Sequence, residues 1–67
     1  MELIESGKLK ILKGEKLVVV NMKVELNLEG NMEFFEFVDG LLQKGYRIIQ
    51  SESSSKFYGH LAVMVKD

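Results

Sequence analysis

The sequence contains no cysteine and no proline, and only one histidine, His60, and one arginine, Arg47. Without cysteine, disulfides and thiolate metal sites are excluded together. A lone imidazole cannot supply a His-rich metal site within one chain. No excess of either charge is present: the net charge is −1 with 28% charged residues, so the surface is neither a general polyanion trap nor an acidic tail. No apolar run approaches the roughly 18 residues a membrane span needs. The start, MELIESGKLK, lacks the basic opening and apolar stretch of a secretory signal, which leads us to expect a cytoplasmic protein without membrane contact. Phosphate-loop G-x-x-x-x-G-K-[ST] and nucleophile-elbow G-x-S-x-G motifs do not occur.

What is present is oily. Hydrophobic residues make up 46% of the 67 positions, which argues against disorder. Lysine and glutamate supply 16 of the 19 charges, and with scarce amides this composition leans toward a thermophilic source. A single domain spanning residues 1–67 is expected. At this length a chain buries only about 60% of the surface it exposes when unfolded. Small scaffolds offset that deficit with a disulfide, a metal or a partner subunit, and here self-association is the route left.

The clearest local signal is LVVVNMKVELNLE, residues 17–29. Val18, Val20, Met22, Val24, Leu26 and Leu28 alternate with mostly polar neighbours, which predicts a half-buried strand over 17–28. Residues 8–13 should pair with it as a hairpin through a tight turn at Lys13-Gly14-Glu15-Lys16. Residues 2–5 are expected to extend that first strand past a bulge at Ser6-Gly7. A helix is predicted over 31–44. Asn31 is its expected cap, Phe34, Val38, Leu41 and Leu42 its apolar stripe, and Gly45 its left-handed terminator. Strands follow over 46–52 and 57–66. The expected fold is α+β, β-β-α-β-β. Its sheet is mostly antiparallel and four-stranded, in the order 1-2-4-3, with the helix on one face.

The last strand is apolar on both sides. One set is Phe57, Leu61, Val63 and Val65; the other is Tyr58, His60, Ala62 and Met64. One helix covers one face, so the surplus predicts an oligomer interface, expected at Tyr58, His60, Ala62 and Met64. The leading expectation is therefore a non-enzymatic interaction or regulatory module. Its partner is itself, as a homodimer or larger assembly, or an unidentified protein. No cofactor and no metal site are expected. The carboxylates Glu33, Glu36 and Asp39 sit at helical spacing opposite the apolar stripe, the pattern of a solvated face.

Two alternatives stand beside this. Lys8, Lys10, Lys13 and Lys16 form a basic first hairpin that fits nucleic acid, although lysines on edge strands also discourage aggregation. A small-ligand or enzymatic site near Tyr58 and His60 is the other, with Glu52 as the carboxylate to orient the ring. The stretch SESSSKFYGH that holds these residues has the composition of a polar hairpin tip, and no catalytic constellation is visible in it.

Overall fold

In the computed structural model, residues 1–54 and 59–67 are described. Their elements are β1 (Glu2–Ser6), β2 (Leu9–Lys13), β3 (Leu17–Met22), α1 (Leu28–Gln43), β4 (Arg47–Ser54) and β5 (Gly59–Val65). The strands form one antiparallel sheet in the order β1-β2-β3-β5-β4. The α+β class is as the patterns predict, but the four-stranded sheet in the order 1-2-4-3 is replaced by five strands.

The fifth strand arises at Gly7. Its φ of 58° lets the chain reverse through a two-residue loop with glycine in first place, as in primed hairpin turns. Residues 2–5 therefore do not extend the first strand past a bulge; they fold back on it. The resulting register sets Glu2 opposite Lys13 and Glu5 opposite Lys10, with Leu3 on Leu12 and Ile4 on Ile11. Opposite charges and matched apolar pairs across the ladder each favour this register by a few tenths of a kcal/mol to about 1 kcal/mol. The next turn is as placed, closed by the Gly14 N–H on Leu17 O at 2.7 Å. Gly14 does so without a positive φ, which among the described glycines belongs to Gly7, Gly45 and Gly59.

The strand expected over 17–28 leaves the sheet after Met22. Asn27 ends the apolar alternation by capping α1, its Oδ1 accepting the Gly30 N–H at 2.6 Å. The cap is thus Asn27 rather than Asn31, and Leu26 and Leu28 point into solvent. At the other end, Gly45 at φ 97° bonds Leu42 O while the Tyr46 N–H bonds Leu41 O. That pair of bonds is the Schellman motif, satisfying carbonyls the helix leaves open.

Helix α1 lies on one face of the sheet. Phe34, Val38 and Leu41 pack there against Leu9, Ile11, Val18, Val20, Met22, Ala62 and Met64. No described helix is long and apolar enough to cross a membrane.

Candidate functional site

His60 starts the core side of β5. Its ring is buried between Phe34, stacked at 5.0 Å, and Phe35, edge-on at 5.1 Å. Buried imidazole nitrogens need partners, and both have one. Nδ1 lies 2.8 Å from Ser53 Oγ on the neighbouring strand, and Nε2 lies 3.0 Å from Asn31 Oδ1 on the helix. Asn31 also clamps the loop before its own helix: its Oδ1 accepts the Glu25 N–H, and its Nδ2 donates to Glu25 O and Asn27 O. The start of α1 and the β4–β5 pair, distant in sequence, meet in this chain of polar groups.

Glu52, the expected orienting carboxylate, takes no part. It pairs with Leu61 and so lies on the other face of the sheet, while Ser53 is the ladder partner of His60. The group that orients the ring is Asn31. Sequence reading assigned Asn31 to a cap; the sign it missed was a second asparagine four residues earlier, better placed for that task.

The expected interface residues are likewise relocated. His60, Ala62 and Met64 are 6%, 1% and 0% exposed and lie beneath α1. Tyr58 falls outside the described residues. The face of β5 left uncovered is the alternate set, Leu61, Val63 and Val65, all half-buried. Cross-strand partners share a face, so the register extends this set across the sheet. Leu3 pairs with Leu12, Leu12 with Val19, Val19 with Val63 and Val63 with Gln50, one row spanning all five strands. Leu17 and Val65 flank it on one side, and Asn21 and Leu61 on the other.

Charge frames this apolar band. Arg47 pairs with Val65 and Glu52 with Leu61, two ladder steps to either side of the row. The register shift between Ile48 and Gln50 absorbs one residue of β4, and that bulge makes the placement symmetric. Arg47 contacts Asp67 at 3.5 Å in an exposed pair, an interaction worth little in water.

The four lysines of the first hairpin are not gathered on one face. Lys8 sits in the β1–β2 turn rather than on a strand, with its Nζ 3.2 Å from Glu25 Oε1. Lys10 lies on the uncovered face opposite Glu5, Lys13 on the helix side opposite Glu2, and Lys16 in the β2–β3 turn. Each of the first three has an acid near it. No protein-family model matches the chain, and neither does any curated protein or solved structure.

Proposed function

We propose that this chain is a small interaction module that pairs with a second copy of itself through the uncovered sheet face. The observation carrying this reading is the apolar row Leu3–Leu12–Val19–Val63, which crosses the face that α1 leaves bare. Packing that row against its own copy removes apolar area from water at roughly 25 cal/mol per Å². A domain this small has need of such burial.

The charges select the occupant. A half-turn about an axis along the row lays each row residue on its own counterpart and reverses the strand direction. Glu52 then faces Arg47 of the second copy, and the pairing occurs twice, as an isologous contact requires. Sheets packed face to face keep their strands within about 30° of alignment, and this arrangement respects that.

Light scattering coupled to size exclusion tests the reading. Wild type should elute at twice the chain mass, and Val63→Lys at the chain mass with an unchanged far-ultraviolet dichroism spectrum. A wild type that stays at the chain mass at high micromolar concentration, or a Val63→Lys variant of unaltered mass, refutes it.

A further inference from the structure

Five strands are wider than one helix can roof, and the shortfall lies on the helix side as well, beside hairpin β1–β2. The hairpin is tied to α1 at its turn, where Glu33 Oε2 accepts the Lys8 N–H at 3.0 Å. Toward the other end of the hairpin a groove of about 320 Å³ lies between the two. Ile4 and Ile11 wall it from the sheet, Phe37 and Leu41 from the helix, and Lys13 and Lys44 line it as well. Its lining runs from Ser6, opposite Leu9, to Lys13. That stretch is about 13 Å at roughly 3.3 Å per residue.

We propose that this groove binds a free medium-chain carboxylate. The acyl chain lies between Ile4 and Ile11 on one side and Phe37 and Leu41 on the other, and the carboxylate sits with the Lys13 and Lys44 ammonium groups. Pockets for small ligands are mostly apolar with a few polar groups that fix orientation, and this groove has that make-up. Among the described residues neither lysine forms an ion pair, Glu2 opposite Lys13 included. Two lysines in the lining give the rim of the groove a cationic character that suits an anion. A cationic amphiphile gains the same apolar burial but meets like charge at that rim.

The groove and the proposed dimer face lie on opposite sides of the sheet, so one is testable without the other. Dodecanoate, kept below its micelle concentration, is titrated into the full chain by isothermal calorimetry. One molecule per chain should bind saturably. Lys13→Gln with Lys44→Gln should weaken binding about tenfold, the loss expected for charged hydrogen bonds at a wet rim. Ile4→Trp, which fills the groove, should abolish binding with the dichroism spectrum retained. Dodecyltrimethylammonium, of equal length and opposite charge, should not bind. Val63→Lys should bind dodecanoate as wild type does. The proposal is overturned by the absence of saturable dodecanoate binding, by equal binding of the cation, or by unchanged affinity in the double lysine variant.

Discussion

His60 Nε2 lies 3.0 Å from Asn31 Oδ1, joining the last strand to the first turn of the helix. The asparagine decides which ring nitrogen carries the proton. Its Nδ2 donates to two carbonyls and its Oδ1 accepts the Glu25 N–H, so a flipped amide would break three bonds at once. An amide oxygen can only accept, hence Nε2 donates and Nδ1 is left to accept the Ser53 hydroxyl proton. The neutral ring is therefore expected as the Nε2–H tautomer, and long-range ¹⁵N–¹H correlation spectra read that directly. Asn31→Ala removes the acceptor from His60 and both partners from the Glu25 backbone. It should lower the unfolding free energy by about 2–4 kcal/mol, measured by urea titration.

Adjacent residues on β5 should respond oppositely to one substitution. Met64 is 0% exposed beneath α1 while Val63 lies on the open face. Met64→Lys strands an unpaired charge in the core, at several kcal/mol, and a chain of this size has only a few to lose. It should appear unfolded by dichroism at 25 °C. Val63→Lys should stay folded and lose only assembly. Two folded monomers, or two unfolded chains, would contradict the assignment of faces.

If Arg47 meets Glu52 of a second copy, reversing one charge should repel and reversing both should restore. Glu52→Arg alone should weaken the dimer about tenfold by sedimentation, at a cost of about 1.4 kcal/mol. Arg47→Glu combined with Glu52→Arg should return it to near wild type. A double variant as weak as the single one would show that these side chains do not meet.

Two glycines bracket the effect of adding one methyl group. Gly59 has φ +74°, and a Cβ there would press on Met22 O and lie 2.9 Å from Lys23 Cα. Backbone strain and overpacking together predict a loss of about 2–4 kcal/mol for Gly59→Ala. Gly40 is mid-helix with no heavy atom within 4 Å of its would-be Cβ. Gly40→Ala should gain up to about 1 kcal/mol, seen as a raised melting temperature.

Removing the helix cap should be milder. Asn27→Ala deletes the acceptor of the Gly30 N–H and should cost about 1 kcal/mol in thermal unfolding. A cost equal to that of Asn31→Ala would mean that the Asn31 network adds nothing beyond capping.

Much of the architecture was legible along the chain. Alternation marked β3 and β5, the 34-38-41 stripe marked α1, and Gly45 marked its end, because each is written over a few neighbouring residues. The fold-back of β1 was harder. ELIES and KLKILK read equally well as one bent strand or as two, and only the pairing of Glu5 with Lys10 and Glu2 with Lys13 distinguishes them. The His60 site was half visible. Its histidine stood out, but its partner lies 29 positions away and had a plausible local task as a cap.

The residues alone determined that β5 has two apolar faces, that one helix is available to cover them, and that no disulfide assists. They did not determine which face the helix takes. Period-two alternation states which side chains share a side but carries no label for inside or outside when both sides are apolar. That choice was made by contacts between segments far apart in sequence. Phe34 and Asn31 meet His60 from the helix, Val18 and Val20 sit beside Met64 and Ala62, and the Leu61–Val65 side is left bare.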